Sequence, residues 1–389
     1  MSILKSNEFR MPKTLLVGPN CVNSLDKEIK KLNKRKALVV TDMVMQEVGF
    51  VDRITGLLSK VGVDAEIFAE APGEPTNIQV EKGLEIYHES GCDFLVGLGG
   101  GSPIDTAKAI GIVAANPGKI TDYMGIEKVL NPIPPVVAIA TTAGTGSEVT
   151  KFTIISDVEN DVKMLIGSSN IIPEIAVSDP MFTLSVPPKT TAATGIDALC
   201  HAVEAYVSKK AQPLTDILAL SAIRLISENL RQAWADGENI EARTNMMLAA
   251  TQAGLAFSNA SVTLIHGMSR PIGACFHIPH GISNAVLLPV WAEYTYIGNP
   301  KKFADIAAAM GENIEGLSIL EAAYKTYEAL KRLCSDIQIP PIRSLGIDKD
   351  KFEKMLPKMA NDAIASGSPA NNPRNVTQTD IIELYRKAW

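Results

Sequence analysis

The feature that most restricts how this chain can fold is a change in apolar period near its midpoint. Through the first half, short β-branched runs alternate with helical patterns. Lys36–Thr41 (KALVVT), Asp64–Phe68, Asp93–Leu98 (DFLVGL) and Val136–Ala140 (VVAIA) read as strands. Val44–Val61, Asn77–Ser90 and Pro103–Ala115 read as the helices between them. Strand, helix, strand repeated in this way predicts a parallel sheet with helices on both faces. After Pro187-Pro188 the apolar residues recur at helical spacing over Thr190–Val207, Pro213–Trp234, Ile240–Asn259 and Ser318–Asp336, and strand-like runs are nearly absent. A helical bundle follows. The Pro-Pro pair interrupts both periods and predicts a division into an α/β unit over 1–186 and an all-α unit over 187–389. No internal repeat or low-complexity segment is visible.

Composition narrows what such a chain can do. Its 389 residues are 46% apolar and 21% charged, which suits two packed domains. A net charge of −6 lacks the basic face that nucleic acid or an anionic membrane surface requires. Met1–Pro12 has no apolar core of the kind a secretory signal needs, and no window approaches a membrane span. Cys21, Cys92, Cys200, Cys275 and Cys334 are odd in number, scattered and never arranged as CxxC. Reduced thiols in a cytoplasm are the expectation, with neither a disulfide framework nor a thiolate metal site.

Two small-residue loops follow predicted strands. In Gly99-Gly100-Gly101-Ser102-Pro103-Ile104-Asp105, glycines let the backbone approach a ligand. Ser102 is placed to cap a helix with Pro103 at its first position and Asp105 at its third. Free N–H groups and the helix dipole then make an anion site. The loop matches neither GxxxxGK[ST] nor GxGxxG, and a tight βα turn without a ligand is the alternative. Thr141-Thr142-Ala143-Gly144-Thr145-Gly146-Ser147-Glu148 follows the strand Val136–Ala140. It offers the hydroxyls of Thr141, Thr142, Thr145 and Ser147 at the carboxyl end of a strand, where open α/β sheets bind ligands. Asp42 ends another strand, as an acid would to accept hydrogen bonds from an adenosine ribose, favouring NAD over NADP; a plain helix cap is the alternative. In the usual dinucleotide fingerprint this acid follows the glycine loop, whereas here it precedes it.

Histidine is scarce: His88, His201, His266, His277 and His280. Asp197 and His201 stand i and i+4 on one predicted helix and project from one face. His266 and His280 are each followed by glycine, which is expected to leave room for an ion or ligand. Three imidazoles and one carboxylate can hold a divalent first-row metal with a position open for substrate, and such ligands suit Fe(II) as well as Zn(II). The competing reading of each histidine is a core residue satisfied by hydrogen bonds. His88 is expected on the surface of the Asn77–Ser90 helix.

Four segments, GGGSPIDTAKA at 99–109, TTAGTGSEVT at 141–150, TGIDALCHAVEAY at 194–206 and HGMSRPIGACFHIPHG at 266–281, resemble the iron-containing (group III) alcohol dehydrogenases in type and order. That family includes lactaldehyde reductases, 1,3-propanediol dehydrogenases and butanol dehydrogenases, and the likeness runs from about Phe9 to Trp389. The resemblance implies a dehydroquinate synthase-like fold: a Rossmann-like N-terminal domain, a helical metal-binding domain and a cleft between them. It implies Asp197, His201, His266 and His280 as metal ligands and Gly100, Gly101 and Ser102 at the pyrophosphate. It also puts Thr141, Thr142, Thr145 and Lys163 on the nicotinamide side, Asn77 along the cofactor cleft, and the chain in a homodimer or larger homo-oligomer. The activity implied is NAD(P)-linked interconversion of a small primary alcohol and its aldehyde.

One position departs from the resemblance. Many family members carry a histidine four residues after the third ligand, where this chain has Arg270. Arginine is no base near neutral pH, so His277 becomes the candidate for proton relay, with a structural role as its alternative. Arg270 can instead orient an anionic aldehyde, a semialdehyde carboxylate or a sulfonate, or can pair with a carboxylate at the domain interface. A dehydroquinate synthase-like lyase or a polyol-phosphate dehydrogenase is expected to place more basic residues near the metal. A metal-stabilised assembly protein needs no dinucleotide loop.

Overall fold

A computed structural model describes residues 6–71, 73–160 and 162–389. The chain divides into two compact units, one over Arg10–Ser185 and one over Val186–Trp389 that also takes in the segment ending at Phe9.

The Arg10–Ser185 unit contains strands β1 (Thr14–Val17), β2 (Lys36–Val40), β3 (Asp64–Phe68), β4 (Phe94–Gly99), β5 (Gly125–Ile126), β6 (Val136–Ala140), β7 (Phe152–Asp157), β8 (Val162–Gly167) and β9 (Ile175–Ser178). Its helices are α1 (Leu25–Leu32), α2 (Met43–Glu47), α3 (Phe50–Ser59), α4 (Asn77–Glu89) and α5 (Gly101–Ala115). Six strands form one sheet in the order β1-β9-β6-β4-β2-β3, and every pairing in it is parallel. The inner strands β2, β4, β6 and β9 are apolar runs buried on both faces, whereas the edge strands β1 and β3 are partly exposed. Along β2, Ala37 and Val39 join Ile54, Leu58 and Val96 on one side, while Leu38 and Val40 join Phe68, Val80 and Ile110 on the other. A second, three-stranded sheet pairs β7 with β8 antiparallel and β8 with β5 parallel.

Several boundaries differ from the sequence reading for identifiable reasons. The single helix expected over Val44–Val61 is two, α2 and α3, separated by Gly49 in the left-handed region (φ 77°). Helix α5 begins two residues before Pro103. Gly101 is its first residue and Gly100, in extended backbone, precedes it, so neither the capping role of Ser102 nor the positions expected for Pro103 and Asp105 holds. The Ser102 hydroxyl instead donates to the Ala71 carbonyl at 3.3 Å.

The second unit is helical. It comprises α6 (Pro188–Val207), α7 (Pro213–Ala235), α8 (Ile240–Ala260), α9 (Leu264–Phe276), α10 (His280–Thr295), α11 (Pro300–Ala309), α12 (Ile319–Asp336), α13 (Lys349–Ala365) and α14 (Gln378–Ala388). Pro188 opens α6, where a missing N–H costs nothing. Every α6 residue from Gly195 to Val207 is buried, which makes this the central helix of the bundle. No described helix is long and apolar enough to cross a membrane, and none of the five cysteines is in a disulfide.

Candidate metal centre and dinucleotide loops

Because α6 is buried from Gly195 to Val207, polar side chains on that stretch must find partners within the bundle. Asp197, His201 and Glu204 follow one another at helical spacing along one side of it. His266 sits in the first turn of α9, and His280 is the first residue of α10. The ligand-type atoms of Asp197, His201 and His266 lie within 4.8 Å of one another, and all three residues are buried. His266 Nε2 is 3.7 Å from Asp197 Oδ1, and His280 Nε2 is 3.8 Å from the same oxygen. His280 is the accessible member, with its side chain 37% exposed against 3% for those of Asp197 and His266. The His201 ring stacks on Phe257 at a centroid distance of 4.1 Å and on His266 at 4.5 Å. Burial by itself raises the Asp197 carboxyl, but His201, His280 and His266 outweigh it and hold the group well below the usual carboxylate range.

These donors fit a divalent first-row cation by their chemistry. Two imidazoles and a carboxylate, with no thiolate among them, lie together at one buried point, and the more exposed His280 brings a third imidazole nitrogen to 3.8 Å from the carboxylate oxygen. Two further residues that sequence reasoning passed over complete the cluster. Glu204, fully buried, accepts at Oε1 from Thr263 N (2.9 Å), Thr263 Oγ1 (2.7 Å) and Ile265 N (2.8 Å), and its Oε2 meets His266 Nδ1. Asn284, one turn beyond His280 and also fully buried, donates from Nδ2 to Asp197 Oδ1 at 2.5 Å, with His266 Nε2 and His280 Nε2 at 3.1 and 3.2 Å. Its Oδ1 has no hydrogen-bond partner among the described residues. The available sequence signal was spacing: Glu204 lies i+3 from His201, and Asn284 lies i+4 from His280.

The glycines after His266 and His280 do other work than the room for an ion expected of them. A Cβ on Gly281 would lie 2.6 Å from the carbonyl oxygen of Ala193, and one on Gly267 would lie 2.7 Å from Pro369 Cγ. Both permit close helix packing. Arg270 follows His266 by one turn of α9, as expected, and donates to Ser368 Oγ at 3.3 Å; among the described residues no carboxylate pairs with it. His277 ends α9 in the left-handed region (φ 54°) with its side chain exposed, and His88 is exposed in the last turn of α4.

In the other unit, β6, β4 and β2 are neighbours in the sheet, so their carboxyl ends bring Thr141, Gly99–Ser102 and Asp42 side by side. This explains the inverted order of acid and glycine loop: the strand beside β4 that ends in the acid comes earlier in the chain. Asp42 Oδ1 accepts from Met45 N at 3.1 Å and caps α2. Thr141 N donates to Gly99 O at 2.9 Å, and Gly101 packs on Thr145, which joins the two loops. No side chain caps α5, which leaves its first-turn N–H groups directed outward. Asn77 Oδ1 accepts from Val158 N at 3.2 Å, and Lys163 pairs with Glu74 at 2.9 Å. Ser147 is engaged internally: its hydroxyl donates to Asp105 at 2.5 Å and lies 3.2 Å from Lys108 Nζ. Lys108 is fully buried and directs its ammonium at oxygens of Ser147, Thr150 and Phe152.

Comparison with known proteins gives consistent matches. The family model for iron-containing alcohol dehydrogenase matches residues 12–180, and that for the C-terminal part of the Fe-containing alcohol dehydrogenase family matches residues 191–389. The chain is 43% identical to 1,3-propanediol dehydrogenase of Citrobacter freundii, covering 98% of each sequence. It is 40% identical to the NAD-dependent methanol dehydrogenase of Bacillus methanolicus, over 98% of this chain and 99% of that one. A crystal structure of 1,3-propanediol oxidoreductase superimposes with a TM-score of 0.96, at 43% identity, over 99% of this chain and 100% of the other.

Proposed function

The chain belongs to the iron-containing alcohol dehydrogenase family, an oxidoreductase fold and activity together, and from that premise we propose how its own residues carry the reaction. Asp197, His201, His266 and His280 hold a divalent cation, Fe(II) in the first instance and Zn(II) as the alternative. When bound, the cation supplies Lewis acidity toward a substrate oxygen and the nicotinamide dinucleotide supplies or accepts the hydride. The observation that carries this reading is the convergence of buried Asp197, His201 and His266 on one point, with the more accessible His280 opposite Asp197.

The chain's contributions are positioning and charge. Asp197 brings a negative charge to a site otherwise built of imidazole rings, which favours a dication over a monocation. The first-turn N–H groups of α5, with Gly99, Gly100, Gly101 and Ser102, offer a cradle for the pyrophosphate. Asp42 accepts from the adenosine ribose and disfavours a 2′-phosphate, so NAD is the preferred dinucleotide. Thr141, Thr142 and Thr145 orient the nicotinamide end, with Asn77, Lys163 and Ser147 supporting that surface. His277 is exposed and can exchange a proton with solvent at its ring nitrogens. The substrate is a small primary alcohol or its aldehyde. Arg270, with no carboxylate paired to it among the described residues, favours a second reading in which an anionic aldehyde is the preferred substrate.

The deciding experiment follows absorbance at 340 nm with NAD and small primary alcohols, before and after chelation and on restoring Fe(II) or Zn(II). Activity lost on chelation, regained with metal and absent from D197A and H266A is expected. A chelated protein that turns over at the full rate overturns the reading.

A further inference from the structure

Glu204 stands behind His266, and its hydrogen bonds are asymmetric. Its Oε1 receives three donors, Thr263 N, Thr263 Oγ1 and Ile265 N, at 2.7–2.9 Å. That oxygen is fully engaged and pins the carboxylate, so only Oε2 faces the ring, at His266 Nδ1. A carboxylate here can only accept. The hydrogen of the neutral imidazole therefore sits on Nδ1, and Nε2 keeps its lone pair on the side of Asp197 Oδ1, 3.7 Å away. A histidine coordinates through that lone pair.

We propose that Glu204 is a positioning residue that selects the metal-binding tautomer of His266, an inference that rests on the metal reading above. The chemistry of its amide analogue makes the idea specific. Glutamine has one acceptor oxygen and one NH2 group. In E204Q the three donors from Thr263 and Ile265 claim the oxygen, and the NH2 is turned toward His266 Nδ1. The ring must then accept at Nδ1, which moves its hydrogen to Nε2 and points it at the other ligands. The isosteric replacement keeps the link from α6 to α9 and reverses the ring. E204A does the opposite: it strands the Thr263 and Ile265 donors but leaves Nδ1–H free to bond a water, with the Nε2 lone pair in place.

Two measurable orders therefore separate. Thermal stability of the metal-free protein is expected to run wild type, then E204Q, then E204A. Metal affinity is expected to run wild type, then E204A, then E204Q. A Glu204 that serves packing alone gives the same order in both.

The test measures dissociation constants for Co(II) and Zn(II) by chelator competition on full-length wild type, E204Q, E204A and D197A. Thermal unfolding of each metal-free protein runs alongside, and ¹⁵N chemical shifts of the histidine ring nitrogens report the tautomer. Outer partners of metal-bound histidines typically contribute 10- to 100-fold in affinity, so a loss of about 10-fold in E204A and about 100-fold in E204Q is expected. The ¹⁵N shifts are expected to place the His266 hydrogen on Nδ1 in wild type and on Nε2 in E204Q. E204Q binding metal as wild type does, or more tightly than E204A, overturns the proposal. So does an Nδ1–H signature in E204Q, which decides the matter even if E204A does not fold. D197A binding metal as tightly as wild type would instead defeat the metal reading and leave the tautomer measurement standing.

Discussion

Replacing Lys108 by methionine tests whether the loop that follows β6 is held from below. The Lys108 ammonium lies within 2.6–3.2 Å of the Ser147 carbonyl, Ser147 Oγ, the Thr150 carbonyl, Thr150 Oγ1 and the Phe152 carbonyl. Burial pushes this lysine down to about 8, and Asp105 and Glu148 offset only part of that, so it keeps its charge at neutral pH. Methionine matches the length and the apolar stem but donates nothing. Three carbonyls and two hydroxyls then lose a charged donor, and Asp105, one turn back on α5, loses its nearby cation. Breaking a buried charged network costs about 3–5 kcal/mol. The lower end applies because Asp105 is only partly buried and keeps its bonds from Ser147 Oγ and Ile154 N. At roughly 2–4 °C per kcal/mol for a unit of this size, a loss of about 3 kcal/mol lowers the melting temperature by about 6–12 °C. Calorimetry of the Arg10–Ser185 transition in the full-length protein measures this. A weaker NAD dissociation constant is expected alongside it, because Thr141–Ser147 is the loop that the lysine ties down. A fall of less than about 2 °C, equivalent to under 1 kcal/mol, would refute the reasoning, as would D105N/K108M being no more stable than K108M alone.

The same lysine has a pH signature. Its folded-state value of about 8 lies below the ordinary 10.5, so between those values the unfolded chain binds more protons and stability rises with pH. The stability gap between wild type and K108M, read by urea unfolding, is thus expected to widen from pH 8 to pH 10.5. In G281A the new Cβ meets the Ala193 carbonyl at 2.6 Å, and the shift this forces carries His280 with it; a loss of about 1–3 kcal/mol with reduced metal content is expected from unfolding and metal analysis of one preparation. N284L removes the amide that donates to Asp197 at 2.5 Å, and roughly 10-fold weaker Zn(II) binding is expected by chelator competition. R270A is expected to raise KM for carboxylated and sulfonated aldehydes and to leave neutral ones unchanged; equal effects on both would remove the second substrate reading.

The parts of this molecule that were legible in the sequence are those where local pattern and tertiary need agree. The strands β2, β4 and β6 are buried on both faces, so their apolar runs stand out, and Asp64–Phe68 at the sheet edge and Val136–Ala140 within it match to the residue. The strand pair β7 and β8 was missed because its burial is partial and alternating, with Lys163 and Ser156 inside the runs. The start of α5 was misplaced because serine and proline are strong local signals for a cap and a first position. Here Gly100 turns the backbone two residues earlier, and the hydroxyl of Ser102 finds Ala71 instead. In the site, the residue types and spacings of Asp197, His201, His266 and His280 single out side chains that the fold brings near one another. Glu204 and Asn284 did not stand out, since a buried glutamate or asparagine is recognisable only by what it touches. Gly267 and Gly281 suggest space for a ligand when only the sequence is considered, whereas in the fold they admit the close approach of Pro369 and of the Ala193 backbone.

Helix α6 carries Asp197 and His201 as well as the carboxylate that faces His266. The spacing of those groups is thus set by the rise and rotation of one rod, whatever α9 and α10 do. If the segments bearing His266 and His280 loosen, a bidentate Asp–His pair one turn apart survives on a helix that the bundle still holds. On the metal reading proposed above, this single helix supplies two of the four donors.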